Sequence, residues 1–179
     1  MEAHRSFHAI IGSITHYKLK IMNIGDKFPD LLGHDAEGKE VRLSDYPGKR
    51  FIIYFYPKDN TPGCTAEACN FRDNLSTFEK MGYQVIGVSK DSEDSHRKFS
   101  DKYSLNFPIV ADTDLTLIKA SGVRALKKMA GREYMGVVRT TFVTDCNGVV
   151  TDKVEKVKTK TASEQLFELL DDRFDINPA

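Results

Sequence analysis

The chain has 179 residues, enough for one domain with a complete hydrophobic core, and its 26 basic residues balance its 26 acidic residues. The resulting formal net charge of zero argues against a nucleic-acid-binding or membrane-binding surface, because both usually carry a strong charge. No apolar stretch approaches the ~20 residues that span a bilayer, and three cysteines do not form the disulfide framework of a small secreted protein.

The N-terminal segment, residues 1–21, is expected to be a disordered extension. Two alternatives stay open for it. Its low acid content also fits a transit peptide, and its three histidines could bind a metal, although their spacing is irregular. We expect one domain at 22–174 and a short tail at 175–179. The odd number of cysteines and the lack of a recognisable signal peptide favour a cytoplasmic location.

After residue 22 the apolar pattern alternates between strand and helix. Continuous apolar runs predict two central strands, 51–56 and 83–89, and apolar residues at helical spacing predict a helix at 65–80 between them. This alternation predicts an α/β fold, with helices on both faces of a mixed central β-sheet. The other expected elements are short strands at 40–43 and 107–110, helices at 92–103, 114–121 and 161–173, and a hairpin of 137–144 and 149–157.

The candidate reactive residue is Cys64, which follows the strand 51–56 through the loop Pro57-Lys-Asp-Asn-Thr61-Pro-Gly63. Thr61 and Pro62 are typical of an N-cap and of a first helical position, so Cys64 is predicted in the first turn of the helix. Free backbone N–H groups and the helix dipole stabilise a thiolate there. Most free cysteines are small buried hydrophobes, but this placement favours a reactive sulfur that is uncovered toward small oxidants.

The pattern Pro57-x-x-x-Thr61-x-x-Cys64 resembles the active-site motif of the peroxiredoxins. With Cys69 five residues further on, the chain is similar to the bacterioferritin-comigratory-protein, or PrxQ, subfamily of atypical two-cysteine enzymes. The similarity runs from about residue 24 to 170. It implies a thioredoxin-like fold, reduction of hydrogen peroxide and organic hydroperoxides, re-reduction by thioredoxin or a similar dithiol, and no metal or organic cofactor. Residues 123–131 lack the aromatic residues often found there, which leaves the preferred peroxide open.

The resemblance also implies a role for each matching residue. Cys64 would be the peroxidatic thiolate, which becomes a sulfenic acid, and Arg139 would stabilise the charge that develops as the O–O bond breaks. Thr61 would hold the peroxide, Pro57 would shield the pocket, and Glu67 would orient Arg139. Simpler alternatives remain: Thr61 as a helix cap, Pro57 as a strand end and Glu67 as an acid near a helix dipole. An inward arginine in an apolar strand is costly unless it is paired, which favours the site role for Arg139.

Cys69 would be the resolving cysteine, which forms a disulfide with Cys64. On an intact helix, Cα atoms five residues apart are roughly 8.6 Å from each other, whereas a disulfide needs less than about 7 Å. We therefore expect the first turns of this helix to unwind in each cycle, at a cost kept low by Gly63 and Asn70. An unrelated buried thiol and a zinc site are the alternatives for Cys69. Cys146, in a predicted turn, is expected to have no catalytic role.

Two other classes of function remain open from the sequence. A redox-sensing module would use the cysteine pair to switch a partner surface, and a thiol–disulfide exchange protein would usually carry Cys-x-x-Cys, which is absent. A monomer is favoured over a dimer. His34 and His96 are expected to face solvent.

Overall fold

The structure of the chain, a computed structural model, describes residues 21–171. The expected extension, apart from residue 21, and the expected tail lie outside the described residues, so both stay predictions. The α-helices are α1 (Pro62–Lys80), α2 (Glu93–Tyr103), α3 (Thr116–Ala120) and α4 (Ala162–Asp171), with short 3₁₀ turns at Leu43–Asp45 and Thr159–Thr161. The strands are β1 (Leu31–His34), β2 (Glu40–Arg42), β3 (Arg50–Phe55), β4 (Tyr83–Ser89), β5 (Ile109–Ala111), β6 (Arg124–Met129), β7 (Arg132–Val137), β8 (Thr140–Thr144) and β9 (Val150–Val154).

A mixed five-stranded sheet with the order β5-β4-β3-β8-β9 forms the centre of the fold. Strands β3, β4 and β5 run parallel, whereas β8 is antiparallel to both β3 and β9. In this register Phe55, at the end of β3, pairs with Thr140, at the start of β8. The loop that follows β3 and the residue that precedes β8 therefore lie at the same edge of the sheet.

The side chains of β3 alternate between two hydrophobic cores, as the pleat of a strand requires. Phe51, Ile53 and Phe55 point into a core that includes Leu117 of α3 and the β1–β2 hairpin. Ile52, Tyr54 and Tyr56 point into a second core that includes residues of α1, α2 and α4. Both faces of the sheet are covered, which explains why β3 reads as a continuous apolar run, and the predicted α/β arrangement is confirmed.

The main difference from the sequence analysis is the hairpin β6–β7, which was not predicted. It turns through Ala130 and Gly131, both with positive φ, as a two-residue hairpin turn requires. Its side chains are largely exposed on both faces, so the alternating apolar pattern that identifies a strand is missing. β1 was also missed, because four residues that include a glycine carry little pattern. The predicted strand 137–144 is divided between β7 and β8, and Arg139 lies at the break.

Among residues 21–171, no helix has both the length and the apolar content needed to cross a bilayer.

Candidate active site

The first turn of α1 places Cys64 at the end of the sheet described above. Thr61 is the N-cap, with an extended backbone, and its carbonyl accepts a hydrogen bond from the Thr65 N–H at 2.9 Å. Cys64 is the third residue of the helix, as predicted, and belongs to the apolar core under α1. It is 2% exposed, however, which differs from the expected uncovered sulfur. Thr61 and the adjacent Gly63 are half-exposed, so the residue directly before Cys64 contacts solvent.

Arg139 joins the Cys64 sulfur to a buried carboxylate. Its Nη2 donates a hydrogen bond to Cys64 Sγ at 3.2 Å, and its Nη1 donates to Glu67 Oε2 in a short ion pair. Burial lowers the pKa of Arg139, but the Glu67 charge and the Cys64 sulfur raise it by more, so the guanidinium remains charged. One planar group therefore places a positive charge and an N–H donor against the sulfur.

Glu67 lies on the same face of α1 as Cys64, and its side chain is fully buried. Burial raises its pKa from the ordinary 4.5 to about 7, although Arg139 opposes the shift through its charge and hydrogen bond. Its second oxygen, Oε1, has no hydrogen-bond partner among the described residues. The carboxylate therefore depends on Arg139 for its stabilisation.

This raised pKa makes the stability of the protein depend on pH. Between pH 4.5 and about 7 the folded state holds a proton on Glu67 that the unfolded state releases. The free energy of unfolding should therefore fall as the pH rises through this window and level off above it, by up to about 3 kcal/mol from this group. Urea unfolding across this range should show the slope in the wild type and a smaller slope in Glu67→Gln, because burial also raises the pKa of Asp112, which the variant retains. The matched variant Glu79→Gln, at an exposed position of α1, should keep the slope; an unchanged slope in Glu67→Gln would contradict the assignment.

Thr61 and Pro57 lie in the loop between β3 and α1. The Thr61 hydroxyl donates to the Lys58 carbonyl at 2.9 Å and makes no side-chain capping bond, so only the backbone of Thr61 caps the helix. Because its proton is used in this way, the hydroxyl oxygen retains its lone pairs as acceptors. Pro57 is half-buried two residues after the end of β3.

The three cysteines are all free thiols in the structure. Cys69 is half-buried in the same continuous helix as Cys64, so the disulfide that the resemblance implies requires a change in α1. Cys146 is exposed in the turn between β8 and β9, as predicted. Over residues 21–171, no three His, Cys, Asp or Glu side chains gather in a group that could hold a metal ion.

His96 was expected to face solvent, and this expectation is wrong. The side chain is fully buried and its Nδ1 lies 2.8 Å from Asp59 Oδ2. The helical stripe His96, Phe99 and Tyr103, at positions i, i+3 and i+7, is the sequence signal that indicates an inward side chain. His34 is exposed, as expected.

Lys127 of β6 is a second cation near this site, and sequence analysis did not single it out. Burial and the Arg139 charge lower its pKa, whereas Cys64 raises it. Its aliphatic stem lies against Gly136 of β7, where a Cβ atom would come within 3.0 Å of Lys127 Cδ. The unpredicted β6–β7 hairpin therefore contributes a positive charge that interacts with Arg139 and Cys64, which no local sequence pattern indicates.

Comparison with known proteins identifies the family to which the chain belongs. The family model described as AhpC/TSA family matches residues 24–153. Peroxiredoxin Bcp of Bacillus subtilis is 44% identical over 151 residues, which cover 84% of this chain and 96% of the relative.

Two solved structures of related proteins are similar in fold. A Xylella fastidiosa PrxQ mutant, at 35% identity, gives a TM-score of 0.78 over 87% of this chain and 99% of its own. The second is the bacterioferritin comigratory protein of Xanthomonas campestris, which was solved in work on its alkyl peroxide reduction activity. It gives a TM-score of 0.73 at 34% identity, over 83% of this chain and 99% of its own. These similarities confirm the predicted thioredoxin-like fold. The chain belongs to the AhpC/TSA family and, within it, to the Bcp and PrxQ peroxiredoxins.

Proposed function

We propose that this chain is a thiol peroxidase in which Cys64 attacks a hydroperoxide. The Cys64 thiolate forms an S–O bond with one peroxide oxygen as the O–O bond breaks, and the second oxygen leaves as water or an alcohol once it takes a proton. The sulfur is oxidised to a sulfenic acid and the peroxide is reduced. The observation that supports this most is the hydrogen bond from Arg139 Nη2 to Cys64 Sγ at the positive end of α1.

The neighbouring residues each have a proposed part in this step. Arg139 stabilises the thiolate and the negative charge that develops on the leaving oxygen. Glu67 holds the guanidinium in this orientation through the buried ion pair. The Thr61 hydroxyl oxygen accepts a hydrogen bond from the incoming peroxide, because the hydroxyl donates its own hydrogen bond to the Lys58 backbone carbonyl. Pro57 limits access of water to the loop.

The sulfenic acid is then resolved by Cys69. The Cys69 thiolate attacks the Cys64 sulfur, an S–S bond forms, and the sulfenic oxygen leaves as water. An external dithiol, thioredoxin or one like it, reduces this disulfide and restores both thiols. Because the intact helix holds the two Cα atoms roughly 8.6 Å apart, the start of α1 must unwind before the bond can form.

The structure changes one expectation about this unwinding. Asn70 was expected to weaken the helix, but its side chain ties α1 to α4. Its Oδ1 accepts from the Ser163 N–H at 2.7 Å, and its Nδ2 donates to the Lys160 carbonyl at 3.2 Å and to Glu164 Oε2 at 3.1 Å. Arg72, two residues further on, donates to the Tyr103 carbonyl at the end of α2 at 2.5 Å. Both anchors follow Cys69, so unwinding is favoured only before residue 70.

Hydrogen exchange should locate this boundary. In the disulfide form, amides up to residue 73 should lose protection, because their acceptors lie at residue 69 or earlier, whereas amides from residue 74 onward should keep it. Asn70→Ala should cost about 1–2 kcal/mol in stability and extend the unprotected segment beyond residue 74. The matched variant Asn106→Ala, at an exposed position, should leave the boundary in place. A boundary that does not move in Asn70→Ala would contradict this role.

A coupled assay tests the proposed function directly. With thioredoxin, its reductase and hydrogen peroxide or an alkyl hydroperoxide, the wild type should complete many turnovers. A redox-sensing module would react once and be reduced slowly. A thiol–disulfide exchange protein would reduce insulin disulfides, which this chain should do poorly. A lack of peroxide turnover with any dithiol or small thiol would contradict the proposal.

A further inference from the structure

A buried carboxylate, Asp59, anchors the loop between β3 and α1. Asp59 is 5% exposed and accepts from three side-chain donors. These are Tyr56 Oη at 2.6 Å, Ser95 Oγ at 2.7 Å and His96 Nδ1 at 2.8 Å. Burial raises the pKa of Asp59, but the hydrogen bond and charge of His96 and the hydrogen bonds of Tyr56 and Ser95 lower it by more. The ionised carboxylate therefore ties the loop to α2 and to the end of β3.

The peptide unit between Lys58 and Asp59 is held on both sides. The Asp59 N–H donates to Asp91 Oδ2 at 2.7 Å, and the Lys58 carbonyl accepts from the Thr61 hydroxyl at 2.9 Å. Because a peptide unit is planar and trans, fixing its N–H also fixes the direction of its C=O. Asp91 is itself held just after β4, where its N–H donates to Ser89 Oγ at 3.0 Å.

This arrangement bears on the proposed reaction through Thr61. The Thr61 hydroxyl donates its hydrogen bond to the Lys58 carbonyl. Its oxygen can therefore act toward a peroxide only as an acceptor. A hydroperoxide has one O–H group at its reacting end, and an acceptor at the N-cap of α1, three residues before Cys64, would orient that group. If the peptide unit rotates, the Thr61 hydroxyl loses the Lys58 carbonyl as its acceptor. Its hydrogen can then point toward the position that the peroxide O–H group would occupy.

We propose that Asp59 and Asp91 are positioning residues for peroxide reduction, which hold the Lys58–Asp59 peptide unit so that the Thr61 hydroxyl accepts from the substrate. This inference rests on the proposed function, since it concerns the orientation of a peroxide at Cys64. Neither residue touches the sulfur, so each acts through Thr61.

The test compares two variants of Asp91, which is half-buried and therefore replaceable without opening the core. Asp91→Ala removes the acceptor for the Asp59 N–H and should lower the second-order rate constant of Cys64 with hydrogen peroxide about 10- to 100-fold. Asp91→Asn keeps an amide oxygen that can accept the same bond and should restore most of the rate. Alkylation of Cys64 by iodoacetamide needs no orienting acceptor and should change less than about threefold in either variant. Asp101→Ala, at an exposed position of α2, is the matched control and should match the wild type in both reactions.

A double-mutant cycle shows whether the effect passes through Thr61. In a Thr61→Val background, Asp91→Ala should slow peroxide reduction by less than about threefold more, because the hydroxyl that it orients is absent. Asp59→Asn should reproduce the selective loss of peroxide reactivity in a folded protein. If Asp59→Asn unfolds, the comparison of Asp91→Ala with Asp91→Asn tests the inference alone. Equal losses in alkylation and peroxide reduction, or full additivity with Thr61→Val, would overturn the inference. A wild type that does not react with peroxide at all would instead overturn the proposed function.

Discussion

Replacing Cys64 by serine is expected to abolish peroxide reduction, with a loss of at least about 10⁴-fold. A serine hydroxyl at neutral pH is almost entirely protonated and is a far weaker nucleophile than a thiolate. The substitution is close in size and keeps Arg139 paired to Glu67, so the fold should be retained. The measurement is peroxide-dependent turnover in the coupled assay, with circular dichroism to confirm folding.

The other two cysteines supply the controls for this experiment. Cys146→Ser changes an exposed thiol in the β8–β9 turn and should leave turnover unchanged. Cys69→Ser should retain the first oxidation at Cys64 but stop at the sulfenic acid, so turnover would continue only with small thiols. Wild-type turnover in Cys64→Ser would assign the chemistry to another residue.

Replacing Arg139 by methionine is expected to slow oxidation of Cys64 by about 10²- to 10³-fold. Complete ionisation of an ordinary thiol at pH 7 gains only roughly 30-fold in thiolate, and part of this is lost because a less basic thiolate is less nucleophilic. A rate well above that of a free thiol therefore requires stabilisation of the leaving oxygen, which a preorganised guanidinium can supply. Stopped-flow measurement of the reaction of reduced protein with hydrogen peroxide gives this rate constant.

The same substitution leaves Glu67 buried without its partner, so stability must be separated from catalysis. Breaking a buried ion pair on one side costs about 3–5 kcal/mol, whereas removing both charges costs less. The double variant Arg139→Met with Glu67→Gln should therefore regain part of the stability but none of the peroxide rate. Arg97→Met, in an exposed pair with Asp94 on α2, is the matched control. Recovery of the peroxide rate in the double variant would make Arg139 a structural residue only.

The central elements were predictable from sequence because each carries its own pattern. β3 and β4 are continuous apolar runs, and α1 has apolar residues at helical spacing after a Thr-Pro N-terminus. The predicted ends of these three elements therefore lie within three residues of the observed ends. The resemblance on Pro57, Thr61, Cys64 and Arg139 predicted which residues meet, and the structure brings Cys64, Glu67 and Arg139 together.

The parts that were missed depend on contacts between distant segments. Asp59 and Asn70 read as ordinary loop and helix residues, and only the packing of α2 and α4 shows their partners. The hydrogen bond to the Cys64 sulfur likewise comes from Arg139, which is 75 residues away in the chain. The β6–β7 hairpin is largely exposed on both faces, so no apolar period identifies it.

Peptide mapping by mass spectrometry, after one equivalent of hydrogen peroxide is added to the reduced protein, tests the central claim most directly. We expect one dominant product, in which Cys64 and Cys69 are joined by a disulfide and Cys146 remains a free thiol. This product would show that Cys64 and Cys69 are the two reacting sulfurs and that the start of α1 opens. In Cys69→Ser, a sulfenic acid found at Cys64 would then identify Cys64 as the attacking sulfur. A protein that consumes the peroxide while Cys64 stays reduced would contradict the account.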